Sequence, residues 1–116
     1  MSKREVATIV EPLVRHQAFP SAEDAVRELV LEFILRQIDR YRRRITKLEK
    51  RHGMSFEDFS AYLKERSALL SNDQLDPQQK RRIAQAVMLE EEDWLDWKIA
   101  RDFLEGWLSV KAEARA

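Results

Sequence analysis

The sequence predicts an all-α protein built around one long central helix, and three observations carry this prediction. Only two glycines and three prolines interrupt 116 residues, of which 36% are charged and 44% are apolar. Such a composition is typical of long amphipathic helices. Apolar residues also recur at helical spacing, and helix-capping signals stand at the start of several segments. A short N-terminal strand is the one exception that the sequence leaves open.

The first segment, residues 3–19, is compatible with two structures. Pro12 suits the first turn of a helix, which favours a short helix from Glu11 to Ala18 after a brief strand formed by "EVATIV". Alternatively, Ser2 and Glu5 cap one kinked helix that continues through Pro12. We expect a helix across much of this segment.

The second segment is a long helix whose start is marked by "FPSAEDAVRE". Pro20 disfavours helical backbone at Phe19, and Ser21 can cap the next helix with Asp24 in the capping-box position. No breaker follows until Gly53. Glycine commonly supplies the left-handed turn that ends a helix, so the helix is expected to end there. This predicts a helix of about 30 residues, roughly 45 Å long.

Two shorter segments complete the chain. Ser55 with Asp58 repeats the capping signal and predicts a third helix that ends at about Leu70. The stretch "SNDQLDP" is a linker that closes on a good N-cap and first-turn pair, Asp76-Pro77.

The fourth helix is expected to run from Pro77 towards Val110. The acidic cluster from Glu90 to Asp93 raises the alternative of an interruption there. If a helix began at those acids, the helix dipole would stabilise them.

Composition excludes several classes of protein. Twenty-one basic residues balance twenty-one acidic ones, so net charge alone does not predict a polyanionic partner. Without cysteine there is no disulfide, thiolate metal site or thiol nucleophile. No run of about 18 apolar residues is present, and "MSKREVATIVEPLV" lacks the features of a signal peptide. We expect a cytoplasmic protein with no membrane partner.

The first half of the long helix is apolar around well over half of its circumference, which predicts burial on more than one side. A second copy of the chain could cover what the short neighbouring elements cannot. A homodimer is therefore expected through Val26, Leu29, Val30, Phe33, Ile34 and Ile38. The alternative is a monomeric bundle whose fourth helix covers everything. Beyond this half, a single coiled-coil-like seam remains, formed by Ile38, Tyr41, Ile45 and Leu48.

A basic ridge lies opposite this seam, within an arc of roughly 120°. It consists of Arg36, Arg40, Arg43, Arg44, Lys47, Lys50 and Arg51. Such a ridge could follow the phosphates of a nucleic acid, although no aromatic residues interleave it for base stacking. The alternatives are a solvated face or internal pairing with the carboxylates of "LEEEDWLD".

The fourth helix carries all three tryptophans, and tryptophan is a frequent anchor at interfaces. One apolar face is expected to bind a partner protein, and it comprises Trp94, Trp97, Ala100, Phe103, Leu104, Trp107 and Leu108. Leu95 and Ile99 add a second, smaller strip. The alternative is that the tryptophans fill the chain's own core.

No constellation of residues predicts catalysis, a cofactor or a metal site. His16 and His52 stand alone at helix ends. Seven residues separate Arg44 from His52, which does not fit the shorter Arg-to-His spacing of the small helical HEPN ribonucleases. A Glu-x-x-His pair occurs once, at Glu49 and His52, where a di-iron bundle needs two. We therefore expect a non-enzymatic protein.

Several stretches are similar to known antitoxins. "FPSAEDAVREL" resembles the turn and second helix of ribbon-helix-helix antitoxins. "IDRYRRRITKLEKRHGMSFEDFSAYL", followed by "EEEDWLDWKIARDFLEGWL", resembles small prokaryotic antitoxin-like proteins encoded beside a toxin gene. The stretches span Phe19–Leu29, Ile38–Leu63 and Glu90–Leu108, about half of the chain.

The resemblance implies a protein that dimerises through residues 1–53 and neutralises a cognate toxin through residues 54–116. Antitoxins of this kind often bind operator DNA as well. Here only "EVATIV" could supply the DNA-reading strand, and Pro12 follows almost at once. DNA binding by that route is therefore not expected.

Overall fold

The computed structural model describes residues 1–115, and within that range every regular element is an α-helix. The four helices are α1 (Lys3–Arg15), α2 (Ala22–His52), α3 (Phe56–Leu69) and α4 (Pro77–Arg115). The predicted all-α fold with a long central helix is therefore confirmed.

The N-terminal segment forms one helix, and residues 1–19 contain no strand. Ser2 caps α1 by accepting the Glu5 backbone N–H at 3.1 Å. Pro12 lies inside α1, so the Thr8 carbonyl lacks the N–H donor that it would otherwise have in the helix. Thr8 and Pro12 are both exposed, and water can take the place of that donor.

The end of α1 is a Schellman motif with an unusual residue at its left-handed position. The Gln17 N–H donates to the Val14 carbonyl at 3.0 Å, and the Ala18 N–H donates to the Leu13 carbonyl at 2.9 Å. Gln17 has φ of 61°, a conformation that glycine adopts at much lower cost. Gln17 therefore forms the turn before α2 in a left-handed backbone conformation that its side chain disfavours.

The predicted caps of the other helices are present. The Ser21 and Ser55 hydroxyl oxygens accept the Asp24 and Asp58 backbone N–H groups, each at 3.1 Å. Gly53 ends α2 with φ of 64°. At the start of α4, Asp76 forms a reciprocal capping box with Gln79, with hydrogen bonds of 2.8 and 3.2 Å.

The interruption considered at Glu90–Asp93 does not occur, because α4 is continuous from Pro77 to Arg115. The acids therefore lie in the middle of a helix, where the dipole of its N-terminus does not stabilise them. Two of them bind basic side chains of other helices instead. Glu90 pairs with Arg66, and Asp93 pairs with Arg51.

The chain forms two compact units. Unit 1 comprises Met1–Asp39 and the residues from Trp107 onward, and unit 2 comprises Arg40–Gly106. The most buried apolar residues of unit 1 are Val10, Ala25, Ile34 and Ile38. The predicted functional halves, residues 1–53 and 54–116, stay a prediction.

Unit 2 is organised around Leu48, Phe59, Leu63 and Trp97, all buried. The predicted seam of α2 contributes Leu48 and Ile45 to this cluster, while Tyr41 stacks on Phe103 with ring centroids 5.4 Å apart. Contacts between α2 and α4 pair early residues of one with late residues of the other, so the two helices run antiparallel here. In unit 2 the seam packs against α4 of its own chain.

No helix in the described range is both long enough and apolar enough to cross a lipid bilayer.

Candidate interaction surface

Two of the three tryptophans are fixed inside unit 2. Trp97 is only 1% exposed and packs on Phe59, with ring centroids 5.6 Å apart. Trp94 is half-buried and donates from its indole N–H to the Ser60 hydroxyl at 2.7 Å. Ala100, one turn from Trp97, is also buried. These three residues pack in or against the chain's own core, which was the alternative to partner binding that the sequence left open.

The other predicted partner-binding residues are more accessible. Phe103 and Leu108 are exposed, while Leu104 and Trp107 are half-buried. Trp107 belongs to unit 1, where its ring meets the edge of Phe33 at 5.8 Å. A partner could therefore reach only some of the predicted residues without opening the core.

A second apolar strip of α4 is open to solvent. Met88, Leu95, Ile99 and Phe103 follow one another at spacings of seven, four and four residues. At 100° per residue these positions lie within an arc of roughly 80°. Each of the four is between 43% and 62% exposed. We call this set the α4 stripe.

The basic ridge of α2 is partly paired within the molecule. Arg44 pairs with Asp96, and Arg51 donates from Nη1 to both carboxylate oxygens of Asp93 at 3.0 Å. Arg36 pairs with Glu32 one turn earlier, at 3.3 Å. The internal pairing considered from the sequence is thus present for Arg44 and Arg51.

Three members of the ridge have no ion-pair partner within the part of the chain that the structure describes. Arg40, Lys47 and Lys50 are exposed and make no salt bridge there. Their charge remains available to a ligand.

A groove of about 430 Å³ lies between α2 and α4 in unit 2. It is lined by Arg40, Tyr41, Arg43, Arg44, Lys47, Asp96, Ile99 and Ala100. The α2 wall is mainly basic, whereas Ile99 brings the α4 stripe to the other wall. The basic ridge and the strip of Leu95 and Ile99 were predicted separately from the sequence, and the antiparallel packing of α2 on α4 places them side by side.

The predicted dimerisation residues in unit 1 divide into a buried and an exposed set. Ile34 and Ile38 are buried in the unit's own core. Val30 and Phe33 are 49% and 51% exposed, Leu29 is also exposed, and Val26 is half-buried. On a helical wheel Leu29, Phe33, Val26 and Val30 fall within an arc of roughly 100°. We call this arc the α2 apolar face.

The end of α2 is joined to α4 through a carboxylate. Burial on its own would raise the pKa of Asp93, but hydrogen bonds from Arg51 and His52 hold that pKa below its ordinary value. His52 is mostly buried, and its ring stacks on Phe59 with centroids 4.1 Å apart. No group of three or more potential metal ligands occurs in residues 1–115.

A second ionic cluster joins α3 to α4. Arg66 hydrogen-bonds Tyr62 and donates to Glu90 Oε1 at 2.8 Å. The Tyr62 hydrogen bond, with the nearby Glu90 charge, raises the pKa of Arg66. Sequence reasoning missed this cluster because Arg66 and Glu90 lie in different helices with no local pattern that connects them.

Comparisons with family models, with curated proteins and with solved structures find no match to this chain.

Proposed function

We propose that this chain is a non-enzymatic interaction protein that forms a homodimer through the α2 apolar face. One observation supports the proposal more than any other: Leu29, Val30 and Phe33 lie together on one face of α2 and are exposed in unit 1. An apolar side chain of this size gains about 1.5–3 kcal/mol from full burial. A second copy of the chain carries the same exposed face, so two copies can bury these side chains against each other.

A matched pair of substitutions tests the dimer. Phe33 and Leu35 are both exposed, at 51% and 40%, but they lie on opposite faces of the same helix. We expect Phe33→Glu to yield a monomer, since a carboxylate at the interface would be desolvated without a partner. Leu35→Glu makes the same chemical change outside the interface and should leave the dimer intact.

Sedimentation equilibrium across a wide concentration range measures the mass of each protein, and circular dichroism checks that the helices remain. A wild-type chain that stays monomeric at every concentration would overturn the proposal. Equal dissociation by the two substitutions would also contradict it, because position on the helix would then be irrelevant.

A second candidate function is that of an antitoxin that neutralises a cognate toxin. Phe103, one of the predicted partner-binding residues, is exposed in unit 2 next to Ile99 and Leu95. These side chains can contact a toxin while Trp97 stays in the core. A nucleic acid remains a weaker alternative partner, because part of the basic ridge already pairs within the molecule.

Co-purification with the product of the neighbouring gene tests the antitoxin function. Phe103→Asp should break the complex and restore toxicity, whereas Leu69→Asp, on an exposed site of α3, should do neither. A complex that survives Phe103→Asp would show that this surface is not used.

A further inference from the structure

We propose that the α4 stripe and the basic groove beside it bind an acidic amphipathic helix of a partner protein. This inference names the chemistry of the partner and so deepens the second candidate function. It does not depend on the dimer, which uses the α2 apolar face of unit 1.

The α4 stripe has the dimensions of a helix-docking surface. From Met88 to Phe103 it extends over 15 residue steps, roughly 22 Å along the helix axis. Its members recur at intervals of seven and four residues, which is the spacing that a partner helix presents along its own apolar face. A helix laid along the stripe would bury four apolar side chains that now contact water, and it would lie beside the exposed Glu92, which falls within the same arc.

Charge determines what kind of helix fits. On the α2 side, the stripe is bordered by the groove, where Arg40 and Lys47 have no ion-pair partner among residues 1–115. A partner helix with carboxylates along one edge would place them against these cations. Opposite charges across an interface favour association and fix orientation.

The far border of the stripe differs in charge from the α2 side. Glu91 and Asp102 are exposed there, about 60–80° around α4 from Ile99. Asp102 is paired with Lys98 at 3.2 Å, whereas Glu91 has no ion-pair partner among residues 1–115. Between Glu91 and Asp102 this border therefore offers no unpaired cation to a second acidic edge of the partner helix. The two borders therefore select a partner helix whose acidic edge faces α2.

The same features disfavour nucleic acid on this surface. Glu91 and Glu92, which have no ion-pair partner among residues 1–115, would repel a phosphate backbone that extended beyond the groove. The Tyr41 ring already stacks on Phe103, so its inner face is not free for a base. A protein helix uses both the apolar stripe and the basic wall, whereas a nucleic acid would use only the wall.

Two model peptides provide the test, bound to the full chain and followed by fluorescence anisotropy. Both carry the same leucine face, and one has glutamates along one edge where the other has lysines. We expect the glutamate peptide to bind at least about tenfold more tightly at low salt. This advantage should shrink as salt rises, because exposed charges are then screened.

Substitutions in the chain locate the binding surface. Ile99→Asp should weaken binding of the glutamate peptide by about tenfold or more. Leu69→Asp is the matched control, since Leu69 and Ile99 are 46% and 43% exposed. The double variant Arg40→Glu, Lys47→Glu should remove the preference for glutamate. Arg42→Glu with Lys64→Glu makes the same change in net charge elsewhere and should preserve it.

Four outcomes would overturn the inference. The first is equal affinity for the two peptides, and the second is an effect of Ile99→Asp no larger than that of Leu69→Asp. The third is tight binding of a DNA duplex that is lost in the Arg40→Glu, Lys47→Glu variant but unaffected by Ile99→Asp. Loss of self-association in Ile99→Asp would instead identify a second copy as the occupant, which also contradicts the proposal.

The proposed dimer and the proposed peptide site are tested by separate measurements. The mass of the unliganded chain reports on the α2 apolar face, whereas the peptide preference reports on the α4 stripe. A toxin complex that survives substitutions in the stripe would show that the toxin binds elsewhere on the chain, without affecting either measurement.

Discussion

The Nε2 atom of His52 lies 2.8 Å from Oδ2 of Asp93, so the last residue of α2 is bonded to the middle of α4. Because an ionised carboxylate can only accept, the imidazole N–H is the donor. Arg51 donates to both oxygens of the same carboxylate. Asp93 thus fixes the antiparallel register of the two long helices at one end of unit 2.

Because hydrogen bonds lower the pKa of Asp93, the stability of the folded chain is expected to depend on pH. The pKa of Asp93 is lower in the folded chain than its ordinary value, so the unfolded state binds its proton more readily. The stabilisation is present above the unfolded pKa of about 3.9 and is lost as pH falls through the folded pKa. We expect the free energy of unfolding to fall as pH drops from about 5 to about 3.

Asp93→Asn isolates the contribution of this residue. The variant should be about 1 kcal/mol less stable at neutral pH, and its loss of stability in acid should be shallower. Glu92→Gln removes a neighbouring exposed carboxylate and should behave as wild type. Urea unfolding at several pH values gives both quantities. Parallel pH curves for wild type and Asp93→Asn would show that Asp93 does not couple folding to pH.

Trp97→Ala should destabilise the chain by about 3–5 kcal/mol, the usual cost of truncating a large core side chain. Leu95→Ala, two residues earlier but exposed, should change stability by less than about 0.5 kcal/mol. Thermal or chemical unfolding distinguishes the two. If Trp97→Ala were as mild as Leu95→Ala, Trp97 would not belong to the core in solution.

Local features of the sequence predicted most of the helix boundaries. Ser2, Ser21, Ser55 and Asp76 cap through hydrogen bonds to residues three positions away, so their partners are visible in the sequence. Gly53 similarly needs only its own backbone conformation to end α2. Such interactions do not depend on how the helices pack.

Contacts between helices that are far apart in the sequence could not be predicted in the same way. The apolar face that contains Trp97 has the same sequence pattern whether it packs in the chain's own core or against a partner. The acids at Glu90–Asp93 suggested an interruption because acidic residues favour the start of a helix. The bases that pair with Glu90 and Asp93 lie in α3 and α2. Arg51 and Arg66 meet those acids only once the antiparallel register is known.

The hydrogen bond between Trp94 and Ser60 connects α3 to α4 and should be measurable on its own. Trp94→Phe keeps most of the ring but removes the indole N–H, and Ser60→Ala removes the acceptor. Each change should cost about 0.5–1.5 kcal/mol. In a double-mutant cycle the combined loss should be smaller than the sum, because both changes remove one shared bond. Strict additivity would exclude the bond.

Gln17→Gly should stabilise the chain by about 0.5–1 kcal/mol, because Gln17 has φ of 61° and a side chain disfavours that conformation. The adjacent His16 has φ of −87°, so His16→Gly gains nothing and should lower stability. Unfolding midpoints of the two variants make the comparison. A Gln17→Gly variant that is less stable than wild type would mean that the left-handed turn after α1 does not form.

Arg66 and Glu90 provide a test of a mostly buried ion pair. The Oε2 atom of Glu90 is buried without a hydrogen-bond partner in the described structure, so Arg66 is the main compensation for its charge. Arg66→Met alone should cost about 1–3 kcal/mol, since it leaves the carboxylate unpaired. Replacing both residues by methionine removes the charge as well and should cost less than the single change. Equilibrium unfolding of the single and double variants measures this difference. A double variant that is less stable than Arg66→Met would mean that the Glu90 carboxylate stabilises unit 2 through interactions other than its bond to Arg66.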